Sequence, residues 1–304
     1  MAGFQKAKRE QLWAKIMLAG PSGSGKSYSA LRMAKGLAEK CGSRVAAIDT
    51  ENGRIRYYAD EFDFDDMQFE VPFSPEKYIE AIDAAANAGY KVLIIDSISH
   101  EWDYCLEVHN KMPGNSYTNW AKITPRHDAF MEKVLQAPIH VIVTARGKDE
   151  YVLEEKNGKQ VPKKVGLGYK QRDGIEYNYT ATFNLAQDTH VAEVTKDNTH
   201  LFEGRFDVLT EKDGAAIYDW ANAGEPVQPK PKAPMAPTDP EVPDLIAKID
   251  ALAQELVAGG VNKSAIANTV KEKSGVVNYN KIKDADAANA VLSALGTLRP
   301  VANA

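Results

Sequence analysis

One eight-residue stretch near the start of the chain constrains the fold more than any other. It fits the pattern G-x-x-x-x-G-K-S, and its residues are Gly20, Pro21, Ser22, Gly23, Ser24, Gly25, Lys26 and Ser27. This is the pattern of a phosphate-binding loop, in which glycines let backbone N–H groups close around phosphate oxygens. The Lys26 ammonium would reach the β- and γ-phosphates, and the Ser27 hydroxyl would ligate Mg²⁺. We therefore expect these eight residues, with the adjoining Tyr28, to bind a nucleotide.

The residues on either side of this loop support that interpretation. Residues 15–19 form a short apolar run that predicts a buried strand, and residues 27–39 carry apolar side chains at helical spacing. Strand, glycine loop and helix is the order that the motif requires, and the helix would point its positive N-terminus at the phosphates. The alternative is a Gly- and Ser-rich turn before a helix. The context favours the binding of a nucleoside triphosphate with Mg²⁺.

Two further apolar strands end in acidic residues. Residues 44–48 are followed by Asp49 and Glu51, and residues 91–95 are followed by Asp96. Ligands bind at the carboxyl ends of strands in open α/β sheets. Glu51 is therefore a candidate to activate the water that attacks the γ-phosphate, although a turn carboxylate or a helix cap is an equal alternative, and Asp49 could be such a cap. Asp96 would hold the Mg²⁺ hydration shell opposite Ser27, as in a Walker B strand.

The strand predicted at residues 139–146 ends in Thr144 and Arg146. Thr144 could sense the γ-phosphate or the attacking water, and Arg146 could reach a phosphate. The Asn-Gly pair at 157–158 between two strand-like runs predicts a β-hairpin over residues 151–164. Basic residues are concentrated there and just beyond, at Lys156, Lys159, Lys163, Lys164, Lys170 and Arg172. These cations indicate either a solvated surface or a loop that contacts DNA or another subunit.

The chain divides by composition into three parts. We predict a core at residues 1–222, a Pro-rich linker at 223–243 and a small helical module at 244–304, with helices over 244–258, 263–273 and 284–298. The module carries no catalytic constellation, so we expect it to dock a partner or help to hold DNA.

Charge and cysteine content narrow the function classes. The net charge of −5 argues against nucleic-acid binding over the whole surface, but leaves room for a local basic groove. Cys41 and Cys105 lie far apart without metal-ligand spacing, so we expect reduced, packed side chains in a cytoplasmic protein. His100 and His109 likewise lack ligand partners at metal-site spacing. No run has the length of a signal-peptide core or a membrane span, so no membrane association is expected.

Taken together, the loop at 20–27, the strand ending at Glu51 and the strand ending at Asp96 resemble the RecA-like branch of P-loop ATPases. The stretches 143–148 and 165–172 are similar, more narrowly, to phage-encoded RecA-like ATPases of the AAA type, the group of recombinases and single-strand annealing proteins. The resemblance implies an α/β fold: a RecA-like P-loop core with a mostly parallel central sheet flanked by helices, followed by a small C-terminal α-helical module.

The resemblance also implies a function. It predicts an ATPase, stimulated by single-stranded DNA, that promotes annealing or strand exchange as a ring or filament with ATP and Mg²⁺ between subunits. Lys196 matches the lysine of the finger that such proteins insert into a neighbour's site, whereas Asn198 stands where arginine is usual. The loops that bind DNA in this family would here hold Tyr117 and Trp120, able to stack on bases, and the basic hairpin. Packing into the core at a helix start is the alternative for Trp120.

The resemblance carries two expectations about the setting of the protein. The C-terminal module would dock a partner such as a single-strand-binding protein, and a phage-encoded chain would act in the cytoplasm of a bacterial host. A helicase loader or motor ATPase of the same superfamily, a P-loop kinase for a small metabolite and a non-catalytic nucleotide switch are the alternatives.

Overall fold

A computed structural model describes residues 4, 6–156, 159–226, 242–276, 279, 282 and 284–298; within it, the side chains of 148–156, 159–167 and 243 are not described. The chain divides into two compact units, Met1–Val227 and Gln228–Ala304. The predicted Pro-rich linker lies largely outside the described residues. None of the described helices is long and apolar enough to cross a bilayer.

The first unit is built on one sheet. Its strands are β1 (Lys15–Gly20), β2 (Val45–Asp49), β3 (Phe64–Gln68), β4 (Val92–Asp96), β5 (His140–Lys156), β6 (Lys159–Tyr169), β7 (Ala181–Leu185), β8 (Ala192–Asp197) and β9 (Phe206–Asp207). Its helices are α1 (Lys26–Cys41), α2 (Pro75–Asn87), α3 (Ser99–Lys111), α4 (Ser116–Gln136) and α5 (Glu211–Asn222), with 3-10 turns at Arg54–Tyr58 and Ile175–Asn178.

The order of strands across the sheet is β3-β2-β4-β5-β1-β7-β8-β9, and β6 pairs with β5 alone. The six strands from β3 to β7 run parallel, while β8, β9 and β6 pair in antiparallel fashion. Every residue of β1, β2 and β4 is buried, as expected of parallel strands covered on both faces. The predicted α/β class with a mostly parallel sheet is confirmed.

Successive residues of β1 pack into two separate cores. Ile16 and Leu18 join the core that contains residues of α1 and α5, whereas Met17 and Ala19 join the core that contains residues of α2 and α4. Because side chains alternate along a strand, helices on both faces are needed to bury a run that is apolar throughout. This layering explains why the sequence of β1 has no polar face.

The predicted hairpin is present and longer than expected. β5 passes through the sheet between β1 and β4 and continues into an antiparallel pair with β6, from Gly147 opposite Tyr169 to Lys156 opposite Lys159. The predicted Asn-Gly turn at 157–158 lies outside the described residues. β5 is thus both a core strand and one arm of the hairpin.

The described residues of the second unit form three helices, α6 (Val242–Ala258), α7 (Lys263–Ser274) and α8 (Ala285–Leu295). They share one apolar core, with Ile249, Val270 and Val291 fully buried in it. Asn262 and Asp284 cap the starts of α7 and α8 through their side chains.

His140, at the start of β5, is a neutral histidine buried in the first unit. The residue is 1% exposed, and its Nδ1 accepts a hydrogen bond from the backbone N–H of Ala14 at 3.0 Å. That bond assigns the proton of the neutral ring to Nε2. Burial, and to a smaller degree the charge of Lys15, lowers the pKa of His140 from 6.5 to about 4.

We expect acid to destabilise the first unit through His140. Because its pKa is lower in the folded chain, the unfolded chain binds the proton more readily, and stability falls as the pH drops from 6.5 towards 4. The full loss is about 3 kcal/mol. His140→Asn keeps an acceptor for the Ala14 N–H but does not titrate. The free energy of unfolding of the His140→Asn chain, measured in urea, should therefore fall less than that of wild type over this pH range. Equal pH slopes for the two chains would contradict this account.

Candidate nucleotide-binding site

The phosphate-binding loop adopts a conformation that requires glycine. Gly23 and Gly25 both have φ of +81°, in the left-handed region that other residues rarely adopt. A Cβ atom on Gly20 would lie 2.5 Å from Ser24 Oγ and 2.8 Å from the carbonyl oxygen of Leu185. The loop therefore needs glycine at all three positions, for backbone conformation at two and for space at the third.

Lys26, the first residue of α1, lies over this loop. Its Nζ donates to the carbonyl oxygens of Gly20 at 3.0 Å and Pro21 at 2.7 Å. Burial lowers the pKa of Lys26, while the negative charges of Asp96 and Glu51 act to raise it. The ammonium is thus held between the loop and two carboxylates, where an anionic ligand would offer it a better partner than backbone carbonyls.

A single buried carboxylate joins three elements of the site. Asp96, at the end of β4, is 3% exposed and accepts hydrogen bonds from Ser27 Oγ and from Thr144 Oγ1, each at 2.5 Å. Burial raises its pKa, and the two hydroxyl donors act against that rise. A carboxylate beside a serine hydroxyl is a hard-oxygen donor set that suits Mg²⁺. Ser27 and Asp96, predicted as metal ligands, are therefore adjacent, and they fit the metal.

Glu51 and Arg146 are bound to each other. Arg146 Nη2 lies 2.7 Å from both Glu51 carboxylate oxygens, and Arg146 Nε donates to Oε1 at 3.0 Å. Glu51 was predicted to activate water and Arg146 to reach a phosphate; both line the same cavity, and their mutual pairing was not predicted. Asp49 is the turn cap that the sequence allowed, since its carboxylate accepts from the backbone N–H groups of Glu51 at 2.6 Å and Ile55 at 3.4 Å.

These groups surround a cavity of about 530 Å³. The predicted residues that line it are Ser22, Gly23, Gly25, Lys26, Ser27, Glu51, Asp96, Arg146 and Lys170. Four lining residues were not predicted from the sequence: Gly147, which adjoins Arg146, and Arg54, Tyr57 and Tyr58. The last three come from the 3-10 turn that follows Glu51. Their closeness in sequence to Glu51 is the signal that could have identified them.

Tyr28 and Lys196 lie outside the lining of this cavity. The Tyr28 ring makes edge contacts with Tyr58 and Phe62, and its hydroxyl donates to Glu61 at 2.9 Å. Lys196 lies on β8, where its Nζ donates to the carbonyl oxygens of residues 177 and 179 at 2.5 and 2.6 Å. Its predicted entry into a neighbour's site stays a prediction.

The predicted placement of Tyr117 and Trp120 in a loop is wrong. Both lie in the first turns of α4, because the Asn115 side chain accepts from the Tyr117 N–H at 2.8 Å and starts the helix there. Tyr117 is 84% exposed. Trp120 stacks on Trp102 and His109, with ring centroids 5.6 and 4.4 Å away. This contact agrees with the packing alternative for Trp120.

The other predicted DNA-binding residues fall into two groups. Lys170 pairs with Asp103 at 2.7 Å and lines the nucleotide cavity, whereas Arg172 pairs with Asp128 at 2.7 Å. The remaining predicted cations lie on the hairpin, and their side chains are outside the described residues: Lys156, Lys159, Lys163 and Lys164.

A buried polar cluster, not predicted from the sequence, ties this region to the helices beside it. Glu101 accepts a hydrogen bond from Cys105 Sγ at 3.1 Å and pairs with His127 Nδ1 at 3.0 Å. Gln171, next to Lys170, donates to the carbonyl oxygen of Ile98 at 3.1 Å. Burial, and then the charge of Glu101, raises the pKa of the Cys105 thiol, which is therefore an unreactive packed cysteine. The cluster holds the segment after β6 against α3 and α4.

Comparison with known proteins identifies the family. A model of the AAA domain family AAA_24 matches residues 13–206, which is well over half of the chain. The chain belongs to this AAA domain family. The predicted P-loop ATPase class is thereby confirmed, and membership implies a bound nucleotide, typically with Mg²⁺. None of the curated proteins matches this AAA domain protein.

Among solved structures, the AAA domain protein is similar to the KaiC-like protein PH0186 from the archaeon Pyrococcus horikoshii OT3. The two are 18% identical, and the match covers 64% of this chain and 82% of that chain with a TM-score of 0.36. A likeness this distant has no bearing on function.

We expect Asp96→Asn to remove most of the Mg²⁺ dependence of nucleotide binding, because the side chain that would hold Mg²⁺ opposite Ser27 loses its negative charge. Wild type should bind fluorescent ADP about tenfold more tightly with Mg²⁺ than with EDTA, a gain of about 1.4 kcal/mol. Asp96→Asn should show little gain. Asp219→Asn, which alters an exposed carboxylate paired with Lys40, is the matched control. An undiminished Mg²⁺ effect in a folded Asp96→Asn chain would contradict the assignment.

Proposed function

We propose that this AAA domain protein is a Mg²⁺-dependent ATPase that assembles on single-stranded DNA and promotes annealing or strand exchange. The family and the cavity support the nucleotide part of this proposal. The dependence on DNA is supported by the way in which the hairpin joins the cavity.

The residues of the cavity would promote hydrolysis by positioning and charge neutralisation. Lys26 and the loop N–H groups would hold the phosphates, and Ser27 and Asp96 would hold Mg²⁺, which supplies charge neutralisation at the phosphate oxygens when bound. Glu51 would orient the attacking water. Arg146 now donates to both Glu51 oxygens and competes with that water for them, so we propose that the Glu51–Arg146 pair opens before hydrolysis.

The observation that carries the DNA part is the continuity of β5. Arg146 and Gly147 line the cavity, and Gly147 already pairs with Tyr169 as the first residue pair of the hairpin. The backbone N–H of Lys170 then donates to the carbonyl oxygen of Arg146 at 2.7 Å and closes the hairpin base. A DNA strand bound on the hairpin would therefore act on backbone that also carries the partner of Glu51.

Two further proposals concern assembly. We propose that copies of the chain form a ring or filament in which Lys196 of one copy reaches the ATP of the next. We also propose that the unit beyond the linker, residues 244–304, docks a single-strand-binding protein. Its three helices form a core of their own, which suits a tethered docking module.

We expect single-stranded DNA to raise ATP turnover about tenfold or more, equal to about 1.4 kcal/mol of barrier. Lys26→Ala and Glu51→Gln should both lose this stimulated turnover, and Glu51→Gln should still bind ATP. Lys35→Ala and Glu39→Gln alter exposed residues of α1 and serve as matched controls. The measurement is phosphate release with and without a DNA strand.

Other outcomes would redirect the assignment. Turnover indifferent to DNA would contradict the proposal and favour a switch or a small-molecule kinase, which phosphate transfer to a metabolite would identify. Directional unwinding would favour a motor or loader. Full activity on protein-coated strands by a chain lacking residues 224–304 would contradict the docking proposal.

A further inference from the structure

Arg54 reaches the nucleotide cavity through a tight turn that begins at Glu51. Asn52 and Gly53 both have left-handed backbone, with φ of +60° and +78°. Two such residues in succession reverse the chain, and asparagine and glycine are the types that tolerate this conformation. The turn brings Arg54 into the lining of the cavity that Glu51 also lines.

The turn is anchored on both sides of Arg54. Ile55 is fully buried, and its backbone N–H donates to the same Asp49 carboxylate that accepts from the Glu51 N–H. Tyr58, at the end of the 3-10 turn, makes an edge contact with Tyr28 on α1 at 5.3 Å. One buried carboxylate therefore fixes the positions of both Glu51 and Arg54 relative to the loop.

The cations that line the cavity differ in what they bind. Arg146 pairs with Glu51, Lys170 pairs with Asp103, and Lys26 donates to two carbonyl oxygens of the loop. Within the part of the chain that the structure describes, Arg54 makes no ion pair and no side-chain hydrogen bond, and it is exposed to solvent.

The next arginine along the turn shows the contrast. Arg56 Nε donates to Asp66 Oδ2 at 2.8 Å, and Arg56 does not line the cavity. The two arginines share one short turn, yet Arg56 has a carboxylate partner while Arg54 faces the cavity without one. A triphosphate would bring several negative charges beside the carboxylates of Glu51 and Asp96, and an unpaired cation there would offset part of that charge.

We propose that Arg54 binds the terminal phosphate of the nucleotide in its own subunit. The planar guanidinium can donate two parallel N–H bonds to phosphate oxygens, a geometry that lysine cannot match. Arg54 and Glu51 belong to one short turn and line the same cavity, so the proposal assigns Arg54 to the phosphate that the water oriented by Glu51 would attack. This inference rests on the proposed binding of ATP, but not on hydrolysis or on DNA.

The test compares two nucleotides in binding assays without turnover. We expect Arg54→Ala to weaken binding of Mg²⁺ with adenylyl imidodiphosphate, a non-hydrolysable ATP analogue, by about tenfold or more, and to leave ADP binding within about twofold. Arg54→Lys, which keeps the charge and loses the paired donors, should fall between wild type and Arg54→Ala. Arg56→Ala is the matched control and should bind both nucleotides as wild type does.

Three results would overturn the proposal. The first is an Arg54→Ala chain that equals wild type with both nucleotides. The second is an Arg54→Ala chain that binds ADP and the ATP analogue equally weakly relative to wild type, which would assign Arg54 to the base, the ribose or the fold. A wild-type chain that binds neither nucleotide would overturn both this inference and the proposed function. Binding without hydrolysis would contradict the proposed function alone, because the contrast between the two nucleotides needs no turnover.

Discussion

Two short hydrogen bonds to one buried carboxylate organise the nucleotide site. The Asp96 carboxylate accepts hydrogen bonds from the Ser27 hydroxyl of the phosphate-binding loop and from the Thr144 hydroxyl of β5. The loop and the strands β4 and β5 therefore meet at this one group. Because β5 lies between β1 and β4, the strand that precedes the loop and the strand that ends in Asp96 are never direct neighbours. Asp96 bridges that gap. The Asp96 carboxylate is also the predicted Mg²⁺ ligand. The two hydrogen bonds that connect the elements of the site therefore also fix the position of this ligand.

A second polar pair spans the same edge of the sheet. Glu51 follows β2 and Arg146 lies on β5, two strands that are separated by β4. Since β5 continues into the hairpin, Arg146, the partner of Glu51, lies on the strand that also forms one arm of that hairpin. If DNA binds the hairpin as proposed, this strand would link DNA binding to hydrolysis. The turn that carries Glu51 also carries Arg54, and the Asp49 carboxylate holds the backbone of this turn at both ends.

The parts of this site that could be predicted from sequence are those set by local chemistry. Glycine spacing marked the loop, and apolar runs ending in acids marked the strand ends at Glu51 and Asp96. The Glu51–Arg146 and Lys170–Asp103 pairs could not be predicted, because they depend on strand order and on loop paths between residues far apart in the chain. The polar strand β3 lacks an apolar run, and it was missed for that reason. The error at Tyr117 and Trp120 arose because their placement in a loop came from the family resemblance, whereas Asn115 starts a helix here.

The most direct test of the central claim is hydrogen–deuterium exchange of the full chain with and without Mg²⁺ and a non-hydrolysable ATP analogue. If the cavity binds the triphosphate as argued, peptides covering residues 20–27, 49–54 and 144–147 should exchange more slowly together, while residues 242–276 should not change. Protection of the loop alone would contradict the joint role of Glu51, Arg54 and Arg146 in the site. Absence of protection in all three segments would contradict the claim that this cavity is a nucleotide site at all.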